Sequence, residues 1–277
     1  MTSILVATDL TPRSDRAVRR AARMARDCDA SLTVLYVIDD ILPAAICDQL
    51  ESHATKELGE LVGDEVNRLG VPAETRIEFG KPDRVILETA HSAAMDLIVF
   101  GTHREGPESL RGTTIERVLR TGSVPCLMAV RRGDRKYRRA IVGIDFSVHS
   151  RRAVEFALKF LPDAQLTFTH AFHIPYRGLI YAGRKLSKSD EEHFKAEVDA
   201  EYQRFLADLD LPASRIERMT EEGSARAVLR RCIEDCDADL VVLGTHGRSG
   251  ISKAMLGSVA EDFLGNPPCD VAVVKAW

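Results

Sequence analysis

No stretch of this 277-residue chain approaches the ~18 consecutive apolar residues of a membrane-spanning helix. Its N-terminus, MTSILVATD, brings an acidic residue at position 9 after only a short apolar run, and so reads as neither a secretion signal nor an anchor. Cysteine is sparse and unpatterned: Cys28, Cys47, Cys126, Cys232, Cys236 and Cys269 form no CxxC and no regular framework. That argues against a disulfide scaffold and fits a reduced, cytoplasmic chain that uses cysteine as a small core residue. Cys232 and Cys236 would share one helical face, yet no third and fourth metal ligand stands near them in sequence. An excess of charge is missing too, since 38 basic against 42 acidic residues leave a net charge of −4. Neither nucleic acid nor an anionic membrane is implied as a partner. The Walker lysine, the dinucleotide GxGxxG, the GxSxG elbow and HExxH are all absent.

What is present is a repeat. The segment ILVATDLTPRSDRAVRRA from Ile4 matches AIVGIDFSVHSRRAVEFA from Ala140, pairing Asp9 with Asp145 and Ser14 with Ser150 at an offset of 136. DLIVFGTH at Asp96 matches DLVVLGTH at Asp239, and Pro125-Cys126 matches Pro268-Cys269, both at an offset of 143. The chain is therefore two homologous domains in tandem, over 1–131 and 139–277. Between them runs RRGDRKYRR, whose core at 132–138 reads as a basic, solvated linker. Each copy alternates Val/Ile/Leu-rich runs with amphipathic stretches, in copy one strands near 3–8, 31–38, 74–79, 96–101 and 125–130 and helices near 13–27, 48–69, 82–94 and 112–121. Such alternation predicts α/β domains, each with a doubly wound five-stranded parallel sheet covered on both faces. Ligands of that architecture bind beyond the carboxyl ends of the strands, where the strand order reverses.

The stretch with most chemistry is GTHGRSGISKAMLGSV, Gly244 to Val259, which leaves the apolar run Leu240–Leu243 and enters a helix near Gly257-Ser258. Bare backbone N–H groups and a helix N-terminus make an anion site. The spacing predicts that Gly244, Gly247 and Gly257 adopt positive φ or admit a phosphate closely, and that Ser258 adds a hydroxyl at the helix start.

Together with strand-end Asp145 and the closing PCDVAVV, this loop resembles the universal stress protein family, and the repeat resembles its tandem two-domain members. The resemblance covers nearly the whole chain and implies an adenine nucleotide alpha hydrolase-like fold with ATP, ADP or AMP across the strand ends, accompanied by Mg2+. Carried over by position, Asp145 would hydrogen-bond the adenine side and Ala171 would pack on the base. Leu243 and Gly244 would line the base and ribose. Gly247 and Arg248 would meet the phosphates, and Gly257, Ser258 and Val259 would close around them. A carboxylate ending a strand also serves as a turn or helix cap, and that alternative stands for Asp145. The resemblance further implies pairing of the two copies through their last strands, with room for a homodimer and a protein partner.

Copy one departs from the pattern. Its GTHREGPESLRGT keeps Gly101 and Gly112-Thr113 but places Arg104 where copy two has Gly247, and Pro107 lacks an N–H. Weak or absent nucleotide binding is expected there, although Arg104 could pair with some other anion. His103 and His246 occupy matched positions, and His170, His173 and His193 could approach one another, without a catalytic set emerging. His173–Ser189 reads as an ordered loop or lid. The expected function is a stress-response nucleotide binder without dedicated catalysis, with a nucleotide-free adaptor, a small-ligand-binding stress protein or a slow ATPase as alternatives.

Overall fold

A computed structural model describes residues 2–102, 112–172, 188–207, 209, 211–245 and 256–276. Copy one contains β1 (Thr2–Thr8), α1 (Pro12–Asp27), β2 (Ala30–Ile38), α2 (Ala44–Glu65), β3 (Ala73–Phe79), α3 (Pro82–Ser92), β4 (Leu97–Gly101), α4 (Thr114–Thr121) and β5 (Cys126–Ala129). Copy two contains β6 (Arg139–Ile144), α5 (Val148–Phe160), β7 (Gln165–Phe172), α6 (Lys188–Leu206), β8 (Ile216–Glu222), α7 (Ala225–Cys236), β9 (Leu240–Gly244), α8 (Ser258–Gly265) and β10 (Asp270–Val274). Among the described residues, no helix is long and apolar enough to cross a membrane.

The ten strands form a single sheet in the order β3-β2-β1-β4-β5-β10-β9-β6-β7-β8. Within each copy all neighbours are parallel; at the join β5 and β10 run antiparallel, with Ala272 opposite Leu127. The last strand of each copy, a bare edge in isolation, is thereby covered by the other. Alternation along each strand fills both faces. Ile4 and Val6 enter one core layer with Ala17, Val18 and Leu58, while Leu5 enters the opposite layer with Ile86 and Val118. Both layers run on into copy two.

Element ends follow local chemistry. The second helix begins at Ala44, earlier than the pattern predicts, because Pro43 serves as its N-cap, and it closes through a 3-10 turn at Asn67–Leu69 on Gly70 with φ 69°. The fourth begins at Thr114, not 112, because Gly112 takes φ 77° and Thr113 is the cap. Asp96 lies before β4 rather than in it: its Oδ2 accepts from Ser3 N at 2.9 Å. Its repeat counterpart Asp239 likewise accepts from Arg138 N and Arg139 N. The repeated aspartate of DLIV and DLVV is thus a latch onto the start of the first strand of its own copy. Of His173–Ser189, only Lys188 and Ser189 fall within the described residues, and both are helical.

The linker is more tightly held than a solvated segment would be. Arg132, Arg135, Lys136 and Arg138 are exposed, but Gly133 and Tyr137 are buried. Tyr137 donates its hydroxyl to Asp270 Oδ2 at 2.7 Å, and Asp270 Oδ1 accepts from Val130 N and Arg131 N at 2.8 and 2.9 Å. Arg20 Nε stands 2.9 Å from Asp270 Oδ2, with its guanidinium 4.0 Å over the Tyr137 ring. Asp270 is wholly buried and Arg20 nearly so, which joins a helix of copy one, the linker and a strand of copy two. Burial, reinforced by the Asp270 charge, pushes the Tyr137 hydroxyl well above its ordinary pKa.

Candidate functional site

Both copies end their first strand on the same strained turn. Asp9 Oδ1 accepts from Thr11 N and Thr11 Oγ1 at 3.1 and 2.7 Å, and Asp145 Oδ1 accepts from Ser147 N and Ser147 Oγ at 3.0 and 2.6 Å. The residue between is left-handed in each, Leu10 at φ 57° and Phe146 at φ 62°. A non-glycine residue held there costs about 1–2 kcal/mol. Thr11 and Ser147 then cap α1 and α5. Asp145 is therefore a turn-former first, with one carboxylate oxygen so used and Oδ2 left for another donor. In copy one, burial opposes ionisation of Asp9, but hydrogen bonds from Thr11 and Ser14 outweigh it and hold the carboxyl below its ordinary value.

The strands flanking each turn reverse the winding: β1 leads to β2 on one side while its neighbour β4 leads to β5 on the other, and β6 and β9 repeat this. In copy two, half-buried Ala171 lies near the carboxyl end of β7, and buried Leu243 and half-buried Gly244 end β9. Gly244 has a packing reason to lack a side chain. A Cβ there would stand 2.8 Å from His149 Cβ and 2.9 Å from the His149 carbonyl carbon, in the first turn of α5. A Cβ at its counterpart Gly101 would be tight against Arg13 O and Ser14 Cα, each at 3.0 Å. Thr245, just beyond, is buried and gives its N–H to Val274 O at 2.9 Å, while its carbonyl accepts from Gly257 N. His149 Nδ1 accepts from Ala276 N at 3.0 Å and lies 3.1 Å from Thr245 Oγ1, tying α5 to the root of the loop and to the chain beyond β10. Copy one has Arg13 in its place, so the repeat alone did not single this histidine out.

The loop closes on α8. Its N-cap is Gly257, at an ordinary φ of −66°, which has no side chain to cap the first turn. Neither Gly244 nor Gly257 takes a positive φ, so of the two uses expected of a bare backbone here the turn is not the one they serve. Ser258 is the first helical residue and is exposed, which puts its hydroxyl at the helix start. Half-buried Val259 packs against the core. His246, Gly247 and Arg248 lie outside the described residues, as do His103, Arg104, Pro107 and His173 and the side chain of His193. His170 Nδ1 lies 2.8 Å from Ile144 O and its ring 4.5 Å from that of Phe146, which makes it part of the turn's packing. Among the described residues no three His, Cys, Asp or Glu are placed to hold a metal.

Copy one finishes the same helix start differently. Thr113 caps α4 in a reciprocal box: Glu116 N donates to Thr113 Oγ1 at 3.3 Å and Thr113 N donates to Glu116 Oε2 at 2.9 Å. A carboxylate of the chain itself thus sits on the helix N-terminus. In α8 the third helical position, which Glu116 fills in copy one, is Ala260, and Glu261 one place further stands 3.6 Å from Arg120 of α4. Beside the capped helix, a cavity of about 230 Å³ lies at the carboxyl ends of β1, β2 and β4.

The profile of the universal stress protein family matches this chain twice, over residues 1–131 and 136–275. The chain belongs to that family. A universal stress protein of Mycolicibacterium smegmatis is 26% identical over 304 residues, covering 98% of this chain and 96% of its own. Universal stress protein A homolog 1 of Coxiella burnetii is 32% identical over 138 residues, 45% of this chain and 92% of that one, as befits a relative the length of one copy. The universal stress protein of Archaeoglobus fulgidus DSM 4304 shares the fold from end to end, with a TM-score of 0.72 at 19% identity over 99% of this chain and 98% of that one.

Proposed function

We propose that this tandem universal stress protein is a stress-response regulator that binds ATP, or ADP or AMP, in its C-terminal copy and has no dedicated catalytic apparatus. The observation that carries the reading is the first turn of α8, started by Gly257, an N-cap with no side chain of its own, at the strand-end edge that also carries Asp145. Helix N–H groups without a cap favour an anion such as phosphate. Asp145 keeps Oδ2 to accept from a base or sugar, while Ala171 and Leu243 offer apolar surface at neighbouring strand ends. The donor set fits a nucleotide in kind: amide N–H groups for phosphate, one carboxylate oxygen and apolar walls for the rest. Mg2+, where it accompanies the nucleotide, would neutralise polyphosphate charge.

The test is gentle purification of the full chain, heat or acid extraction and analysis of released nucleotide, beside Gly247→Arg, which copies Arg104 of the first copy. About one adenine nucleotide per chain, lost in the variant, is the expected outcome. If none is released and added ATP does not bind either, the loop is only a turn and a nucleotide-free adaptor replaces the reading. Phosphate release well above that of Gly247→Arg would overturn the non-catalytic part.

A further inference from the structure

We propose that the join between the copies holds a second ligand site, one that takes a small anion of two or three linked phosphates. A cavity of about 350 Å³ opens there, lined by Arg20 of α1, six linker residues between Arg131 and Arg138, and Asp237 and Asp239 ahead of β9. The segments 131–138 and 237–239 continue as described residues on both sides. The cavity lies at the amino ends of β6 and β9, the opposite edge of copy two from Asp145 and Gly257. Of its described lining, six residues are basic and three acidic, an excess of three positive charges in a chain whose net charge is −4. No apolar residue is among that lining, so there is no seat for a base or a ring.

Most charges around the cavity are already spent. Arg131 stands 3.5 Å from Asp239, Lys136 3.0 Å from Asp163, and Asp237 is taken by Arg139 at 2.7 Å. Arg20 gives Nη1 to Arg135 O at 2.7 Å and lies beside buried Asp270. That leaves Arg132, Arg135 and Arg138, whose guanidinium groups pair with nothing among the described residues, against the one unspent carboxylate of Asp134. The backbone that carries them is fixed without a ligand. Gly133, at φ 72°, lies so close to α1 that a Cβ would stand 2.8 Å from Arg20 N. Arg23 Nη2 donates to Asp134 O at 3.2 Å, and Tyr137 is tied to Asp270. Ordering of this segment therefore adds no cost on binding. Arginine forks match phosphate oxygens two at a time. A single phosphate, at most doubly charged at neutral pH, leaves part of the excess unanswered, whereas linked phosphates answer it.

The test is titration calorimetry of the full-length protein at pH 7 without Mg2+, with inorganic tripolyphosphate and inorganic phosphate as probes. It is run in a Gly247→Arg background, so that the loop of copy two does not compete for the probe. One tripolyphosphate per chain is expected, with phosphate at least about tenfold weaker. Arg132→Gln, Arg135→Gln and Arg138→Gln together are expected to weaken tripolyphosphate by about tenfold or more, and each alone by about threefold. None of the three side chains has a bond to lose, so the melting transition without probe is expected to stay in place; if the triple variant melts lower, the single variants decide. A control with Lys56→Gln, Arg68→Gln and Arg204→Gln, all exposed and outside the lining, changes the net charge equally and is expected to bind like the parent. No tripolyphosphate binding, equal binding of phosphate, binding that survives the three cavity substitutions, or an equal loss in the control overturns the proposal. Nucleotide extraction is read separately, on the chain with Gly247 intact, so failure here is distinct from failure of the nucleotide reading.

Discussion

Asp96 and Asp239 are the residues by which each copy ties its fourth strand to the start of its first; Asp239 also pairs across the copies, with Arg131 at 3.5 Å, and so, more closely, does Asp96. Its Oδ1 accepts from Lys159 Nζ at 2.7 Å while Oδ2 holds Ser3. Burial works against the charge, but the bonds from Lys159 and Ser3 prevail and its carboxyl lies below the ordinary value of 3.8. A carboxyl lowered in the folded state stabilises above its unfolded pKa and loses that contribution as pH falls through its folded pKa. Asp96→Asn should therefore cost about 1 kcal/mol at pH 7, discounted for the exposure of the ion pair. The difference should shrink from about pH 4 downward and vanish in stronger acid, as read by urea unfolding across a pH series. This latch was hard to see in the sequence, where the repeated Asp passed as the first residue of a strand. The turn role of Asp145, in contrast, was already open there as the alternative to ligand binding.

At the scale of elements, Gly101 and Gly244 let the first turns of α1 and α5 come down on β4 and β9. The sequence pointed to Gly244 for its place in a glycine-rich loop, and the packing against His149 supplies a second, independent reason. Gly244→Ala should cost about 1–3 kcal/mol through overpacking against backbone that cannot swing aside, measured as a shift in the urea midpoint without a change in slope. An unaltered midpoint would mean that the helix start yields easily. Strand and helix order was legible because buried parallel strands read as unbroken apolar runs and the helices as three- and four-residue spacing. Boundaries were less so, since Pro43, Gly112 and the Thr113–Glu116 box each moved a helix start by a choice among local hydrogen bonds. Both copies carry the hydroxyl and the acid of that box, Thr113 with Glu116 and Ser258 with Glu261, yet only copy one makes it. The difference lies in where the helix begins: α8 starts one residue earlier, on Gly257, so Ser258 is already helical and Glu261 falls one place past the position that closes the box.

For the whole molecule, the join matters most. Pairing of the last strands was expected from the family resemblance, but the buried cluster of Arg20, Tyr137 and Asp270 was not, because Asp270 corresponds to Leu127 in the repeat and Arg20 to Phe156. Asp270→Ala would leave Arg20 buried without its counter-charge and release Val130 and Arg131. A loss of about 3–5 kcal/mol is expected by chemical denaturation. Tyr137→Phe should lose about 1.5–3 kcal/mol, since only one charge-assisted bond goes. Equal stability of Asp270→Ala and the parent would show that the strand pairing alone holds the copies together. That pairing also sets a direction. Since β5 and β10 run antiparallel within one sheet, the carboxyl ends of copy one's strands point opposite to those of copy two. The molecule is accordingly two-headed: its two strand-end faces look away from each other, so a partner seated on one leaves the other open, and two different molecules could be read out at once.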